Sequence, residues 1–333
     1  MPRLVVVHPG HLSLVQDLGR FGVAQYGLSQ GGVADLKAHC WAQKSLQNPT
    51  TNSSIEILFG HAQFQALEPI TMMLSGADCS ASITSSSASV TQSKQVVSNW
   101  QPFTLHSGDT LQLHTPRTGA RTYLSVQGEI QIDASLGSVS TVVRNRLGGI
   151  KNGEPLRQGD ILTINEPKPH HSTCNASAAS HLATPRSVRT CYPKKQRIRL
   201  IPSYQFARLD SKFIHELLSR WFTVSAQSDR MGIRLSSETP ITTPVVKHAA
   251  LNETGIISEG IACGSVQITH GGSPIILLQD RQTLGGYCKA GVIAFRDLAK
   301  LGQLRPGNQI QFERTNIEVE KVKQRAFYRY FSL

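Results

Sequence analysis

Hydrophobic positions in this chain come in short runs closed by turn residues, not in long helical stripes. Residues 4–7, 70–74, 122–126, 198–201 and 275–278 each read as a β-strand. One phrase recurs three times: Ser107-Gly108-Asp109 before Leu111 and Leu113, Gln158-Gly159-Asp160 before Ile161 and Ile164, and Pro306-Gly307-Asn308 before Ile310 and Phe312. Each Gly-Asp or Gly-Asn pair predicts a tight turn into a strand. Helical periodicity is scarce. Residues 35–46 align Ala38, Trp41, Ala42 and Leu46, and residues 210–222 align Phe213, Leu217, Leu218 and Trp221, with Asp35 and Asp210 placed to cap the two helices. So few helices, without strand-helix alternation, exclude a doubly wound parallel sheet and predict a mainly β protein.

A chain of 333 residues exceeds what one core usually serves, so two domains are expected. The apolar rhythm fails between Glu166 and Lys195, where Ser, Ala, Pro, Thr and His dominate, as they do in linkers. This gives an N-terminal β domain over 1–168, a linker over 169–196 and a C-terminal β domain over 197–333. The Ser/Thr tract at 80–93 has strand-like text on both sides and reads as an exposed hairpin. A Gln-Asp pair before a glycine-rich turn occurs in both halves, at Gln16-Asp17 and Gln279-Asp280, which distantly similar domains and coincidence would each explain.

The net charge of +12 changes the picture toward acidic partners: carboxylates, phosphates or an acidic protein surface. Its basic residues are scattered, apart from Lys194, Lys195, Arg197 and Arg199 and then Lys321, Lys323 and Arg325, without interleaved aromatics, so nucleic acid is not an expected partner. Six cysteines at 40, 79, 174, 191, 263 and 288 form no CxxC pair, which argues against a zinc knuckle or a disulfide framework. The apolar run at 4–7 is too short for a signal-peptide core and no run approaches a membrane span, so a cytoplasmic protein is expected.

Three segments gather chemistry on glycine-rich turns: VQDLGRFGVAQYGLSQGGVAD at 15–35, SDRMGIRL at 228–235 and QDRQTLGGYCK at 279–289. The first brings Asp17, Arg20 and Asp35 together, although Asp17 with Arg20 could form only a turn salt bridge and Asp35 only cap a helix. The third follows a continuous apolar run, so Asp280, Arg281, Gln282 and Thr283 should emerge where a buried strand reaches the surface. No GxxxxGK[ST] loop, GxSxG elbow or HExxH pair occurs, and His170, His171 and His181 lie in the linker text, where composition explains them. No metal site is expected.

In consistent order, VQDLGR, SDRMGIRL and DRQTLGGY resemble the family that contains the C subunit of prokaryotic 5-oxoprolinase. The second subunit of allophanate hydrolase, KipA-type regulators and the biotin-dependent carboxyltransferase part of urea amidolyase belong to the same family. Asn48-Pro49, Ile55-Glu56-Ile57, Ser75-Gly76-Ala77 and Leu304-Arg305-Pro306-Gly307 fit it too. Departures are GGVAD at 31–35 in place of an SGAMD-like stretch, Cys288 in place of the proline after Tyr287, and Ile268-Thr269 in place of valine-proline. The resemblance implies two cyclophilin-like β-barrel domains.

It also implies partners: a KipI-like B subunit and, in 5-oxoprolinase, an A subunit. The leading expectation is the C subunit of an ATP-hydrolysing 5-oxoprolinase, which opens 5-oxo-L-proline to L-glutamate with ATP and Mg. The lactam carbonyl is a poor electrophile, so phosphate and carboxylate groups must be held, and Arg20, Arg230, Arg281 and Lys289 are the candidates. Asp17, Asp229 and Asp280 are candidates for positioning water or a metal, while Asp35, Gln282, Thr283 and Tyr287 would complete substrate binding. If ATP is used, its site is built from dispersed residues or shared with another chain. The alternatives are carboxyl transfer to urea or a related amide, with biotin carried on another chain because no AMKM-like segment occurs here, and a KipA-like protein that regulates through a KipI-like partner without turnover.

Overall fold

In the computed structural model, residues 1–86, 94–166, 183–239, 241, 243, 245 and 256–333 are described. Two compact units divide the chain: residues 1–20 with 31–191, and residues 21–30 with 192–333. Residues 167–182, which hold His170, His171, His181 and half of the predicted linker, lie outside the described residues. The rest of that linker is divided, with 183–191 in the first unit and 192–196 in the second. Thr184 is buried in the first unit, and its N–H donates to the Trp100 carbonyl at 3.0 Å.

The first unit contains the strands β1 (Arg3–Pro9), β2 (Leu12–Gln16), β3 (Ser54–Leu58), β4 (Ala62–Ala66), β5 (Ile70–Gly76), β6 (Ser82–Thr84), β7 (Lys94–Val96), β8 (Pro102–Leu105), β9 (Thr110–Gln112), β10 (Arg121–Val126), β11 (Glu129–Ile130) and β12 (Ile161–Asn165). They form a seven-stranded sheet, β11-β12-β1-β4-β9-β6-β7, and a five-stranded sheet, β2-β3-β10-β5-β8. The described strands of this unit do not close into the expected barrel, because these orders describe two separate sheets. Their inward alternate residues, among them Leu4, Val6, Phe64, Ile55, Leu74 and Leu124, share one core. Strand β6 pairs with β7, consistent with the predicted hairpin, of which residues 87–93 lie outside the described residues. Helix α1 (Leu36–Ser45) lays Ala38 and Ala42 with Leu46 against Met73 and Tyr123, and Asp35 caps it by accepting from Ala38 N–H at 2.9 Å.

The second unit is built on β13 (Lys195–Pro202), β14 (Phe222–Val224), β15 (Gly232–Ser236), β16 (Glu259–Gly260), β17 (Ser265–Ile268), β18 (Pro274–Leu277), β19 (Leu284–Gly285), β20 (Cys288–Ile293) and β21 (Gln309–Arg314). Seven of them close into a barrel in the order β13-β20-β17-β18-β15-β14-β21, leaving β16 and β19 as a separate ribbon. Strand β13 runs parallel to β21, and the other described pairs of the barrel are antiparallel. The alternation in β13 shows why the ring closes over an apolar interior: Ile198 and Leu200 point into the core while Lys195 and Arg197 face out. Helix α2 (Ser211–Ser219) contributes Phe213 and Leu217 to that core, and α3 (Phe295–Leu301) and α4 (Ile317–Phe331) follow the barrel.

The recurring Gly-Asp or Gly-Asn phrase folds the same way three times. Gly108, Gly159 and Gly307 have φ of 82°, 86° and 83°, the left-handed conformation a type II turn demands at its third residue. In each, the next side chain accepts from the backbone N–H three residues back: Asp109 from His106, Asp160 from Arg157 and Asn308 from Arg305. Cys40, Cys79, Cys191, Cys263 and Cys288 are free thiols, and Cys174 lies outside the described residues. No helix among the described residues is long and apolar enough to cross a membrane.

Candidate functional site

Where β18 ends, the chain turns through Gln279, Asp280 and Arg281, and here the structure brings parts of all three motif segments together within the second unit. Arg230 grips Asp280 through two bonds, Nε to Oδ2 at 2.9 Å and Nη2 to Oδ1 at 3.0 Å, and both side chains are buried. The Asp280 N–H also donates to the Arg230 carbonyl at 3.0 Å. Ser29, from segment 21–30, directs its hydroxyl at the carbonyls of Asp280 and Arg281, 3.1 and 2.9 Å away. Arg281 turns back to hold the carbonyls of Ile261 and Leu278. Asp229 accepts from Met231 and Gly232 N–H at 2.8 and 3.1 Å, closing the turn into β15. Asp229, Asp280, Arg230 and Arg281 therefore fix backbone at this end of the barrel.

The groups that this framework presents lie just beyond, on the barrel's outer face under the β16/β19 ribbon. A bulge in β20 sets Lys289 opposite Gln267 of β17, after Gly291 has paired with Val266. Bulges of this kind re-aim side chains. Since Val266 and Ala290 belong to the barrel core, Gln267 and Lys289 stand side by side on the other face. Lys289 Nζ sits 2.7 Å from Glu259 Oε1 and donates to the Gly260 carbonyl at 3.1 Å. The Glu259 carboxylate also accepts from the Tyr204 hydroxyl and from Gln205 Nε2, and Gln205 Oε1 accepts from Lys289 N–H. These donors, Lys289 foremost and then Tyr204, hold the Glu259 carboxyl below the usual carboxylate range, against the opposing effect of burial. With side chains 13% and 28% exposed, Lys289 and Glu259 are partly shielded yet reachable.

Around this pair stand Gln282, which is exposed, and Thr283, whose carbonyl accepts from Ile261 N–H at 3.0 Å. Tyr287 is edge-to-face with His270 at 5.6 Å between ring centroids. Gln267 is 2% exposed, and its Nε2 has no hydrogen-bond partner among the described residues. An ammonium, a carboxylate, a phenol and carboxamides on one small surface can hold a neutral polar group while supplying positive charge to an oxygen and an acceptor to an N–H.

The charged residues of the first motif segment belong to the first unit. Asp17 is buried and accepts four hydrogen bonds, from Gly19 N–H, Ser138 Oγ, Ser140 Oγ and Val139 N–H, at 2.5 to 2.8 Å. Arg20, also buried, donates to the carbonyls of Ser135 and Ser138 at 2.9 and 3.1 Å, so both residues secure the 135–140 loop. Asp35 caps α1, and its N–H donates to Tyr123 Oη, which in turn donates to Glu56 at 2.7 Å. Buried Arg121 completes that network at 3.2 Å from Glu56.

Residues 26–314 match the family described as carboxyltransferase domain, subdomains A and B. The chain belongs to this family. Asp17 and Arg20 precede the matched span of the carboxyltransferase domain, whereas the whole Lys289 cluster lies within it. Among relatives, the C subunit of 5-oxoprolinase from Escherichia coli (strain K12) is 29% identical over 98% of this chain and 96% of its own length. The corresponding protein of Haemophilus influenzae is 29% identical over 91% of the chain and 88% of its own length. The solved urea amidolyase of K. lactis superposes on 99% of this chain with a TM-score of 0.85 and 25% identity, and the chain spans only 20% of that protein. TTHA0988 superposes on 94% of the chain with a TM-score of 0.75 and 28% identity, covering 55% of its own length. This carboxyltransferase-domain chain is thus related to both 5-oxoprolinase subunits and urea-handling enzymes.

Sequence reasoning found Lys289 but not its partners Glu259, Tyr204 and Gln205, nor Gln267. They arrive from separate stretches of the chain, so no spacing links them. The one available signal was Glu259 set between Ser258 and Gly260, an acidic residue flanked by small ones just before a run of strand text.

Proposed function

We propose that this chain is the carboxyltransferase-type subunit of a multi-chain enzyme that works on an amide or urea-like substrate, with its site on the outer barrel face around Lys289 and Glu259. The observation that carries the reading is the Lys289–Glu259 pair, held by Tyr204 and Gln205 beside the Gln282-Thr283 turn. An amide nitrogen is a weak nucleophile because its lone pair is delocalised into the carbonyl. Glu259 would accept the N–H and draw electron density onto nitrogen, while Lys289 would stabilise the negative charge that grows on the carbonyl oxygen. When bound, carboxybiotin carried on another chain supplies an activated carboxyl group, and the mixed donors and acceptors around Lys289 suit its ureido ring. Asp280, Arg230 and Arg281 act by holding the turn that presents these groups.

A second reading, the C subunit of an ATP-dependent 5-oxoprolinase beside A and B subunits, is favoured by length, since the Escherichia coli and Haemophilus influenzae proteins match this chain almost end to end. ATP and Mg would then be handled by dispersed residues or with the partner chains. Both readings place a neutral amide or ureido group at the reacting centre. The deciding experiment co-expresses the chain with its genomic neighbours and measures two reactions: bicarbonate-derived carboxyl transfer to urea through a biotinylated carrier, and glutamate release from 5-oxoproline with ATP. Glu259→Gln and Lys289→Met should each reduce whichever activity is found by about 100-fold or more. Activity that survives both variants would put the chemistry elsewhere, and a stable complex without either activity would point to KipA-like regulation.

A further inference from the structure

The Gln267 carboxamide is a polar group of this surface that the described residues leave unanswered. Its Nε2 is buried without a partner among them, although buried donors are nearly always paired. Two further observations show what it faces. The residue above it is Gly285, whose φ lies outside the left-handed region, so glycine is needed there for space and not for backbone shape; a methyl group at that point would stand 2.7 Å from Gln267 Nε2. The same point is 3.2 Å from Gln282 Nε2, so two carboxamide nitrogens address one side of Gly285.

Charge narrows the ligand. Of the neighbouring cations, Lys289 is paired with Glu259 and Arg281 is turned back onto the carbonyls of Ile261 and Leu278, so the donors left facing Gly285 are carboxamide N–H groups. Such a surface suits a neutral carbonyl oxygen better than a phosphate or a free carboxylate. We infer that Gln267 Nε2 recognises the carbonyl oxygen of an amide, lactam or cyclic urea and thereby sets the substrate class of the site, an assignment that rests on the amide reading proposed above. The ligand reaches it as Leu284 and Gly285 of β19 swing off β16, which Glu259 keeps anchored to Lys289, a separation of only two paired residues.

The test uses the full chain, alone and in its co-expressed complex, with Gln267→Leu and Gln267→Glu. Binding of 2-pyrrolidinone and 2-imidazolidinone to the chain is followed by ligand-observed NMR, with cyclopentane as the control. Urea unfolding is measured in parallel, and KM and kcat on the complex. The wild type should bind both carbonyl probes and not the control, and each variant should bind them about tenfold more weakly or worse. Gln267→Leu should be at least as stable as the wild type, because an unanswered amide leaves the interior. Wild-type affinity in both variants, no probe binding by the wild type, or a clear loss of stability in Gln267→Leu would each overturn the assignment. Gln267-dependent probe binding without turnover would sink the proposed reaction and leave this assignment standing, whereas turnover with unchanged KM in both variants would do the reverse.

Discussion

Arg230 and Asp280 are both buried, so removing one partner strands a charge. Arg230→Ala should cost the second unit about 3–5 kcal/mol in urea unfolding, and any loss of activity would then follow from a disordered turn. Glu259→Gln should change stability far less, since its carboxylate is partly solvated and the amide keeps an acceptor for Tyr204. His39, in the first unit, makes stability depend on pH. Its Nδ1 and Nε2 are 2.9 and 3.0 Å from Ser54 Oγ and the Thr50 carbonyl. Burial pulls its pKa from 6.5 to about 4, against the Thr50 carbonyl and the carboxylates of Asp17 and Glu56. The unfolded chain takes up a proton near pH 6.5 and the folded chain only near pH 4, so between them the unfolded state binds more protons and stability falls as pH falls. The loss should reach roughly 3 kcal/mol across that window. His39→Gln should flatten the slope, read from urea midpoints at about pH 4.5 and about pH 7.

Strands announced themselves wherever their apolar residues were bounded by turns: residues 4–7, 70–74, 122–126, 198–201 and 275–278 all lie on or within a residue of observed strands. The three Gly-Asp or Gly-Asn turns were legible because a type II turn leaves little choice of residue. Ribbon β16/β19 and the bulge in β20 were not legible, since two-residue strands carry no period and a bulge changes register without changing composition. The candidate site rests on these two features, which explains why charge and motif position led to Asp17, Asp229 and Asp280 while Gln267 was given no role. Two glycines separate these roles experimentally. A Cβ on Gly291 would stand 2.3 Å from the backbone carbonyl of Ile201, which cannot swing aside, so Gly291→Ala should destabilise the barrel by about 1–3 kcal/mol. At Gly285 the obstacles are the tips of Ile261 and Gln267, at 2.5 and 2.7 Å, which can move. Gly285→Ala should therefore leave the unfolding midpoint closer to the wild type while reducing turnover by displacing the Gln267 amide. Equal losses of stability would show the ribbon to be as rigid as the barrel.

The second unit is discontinuous in sequence, since residues 21–30 belong with 192–333. A compositional search for linkers finds the tract near 169–196 and cannot find this, because ten residues that join a distant barrel look like any glycine-rich turn. The join has a definite chemical anchor: the Ser29 hydroxyl meets the carbonyls of Asp280 and Arg281 at the turn that carries Arg230's partner. The barrel should accordingly depend on a part of the chain that a simple two-domain division assigns to its neighbour. A fragment beginning at Tyr192 lacks that hydroxyl, and its thermal midpoint should lie below that of the second unit in the full chain, rising when a peptide of residues 21–30 is added. Ser29→Ala in the full chain isolates the anchor from the rest of the segment and should cost about 1 kcal/mol. If the fragment melts where the full chain does, segment 21–30 merely rests on a barrel that is complete without it; if the peptide restores the midpoint and its Ser29→Ala form does not, the hydroxyl is what makes the segment part of the barrel's turn.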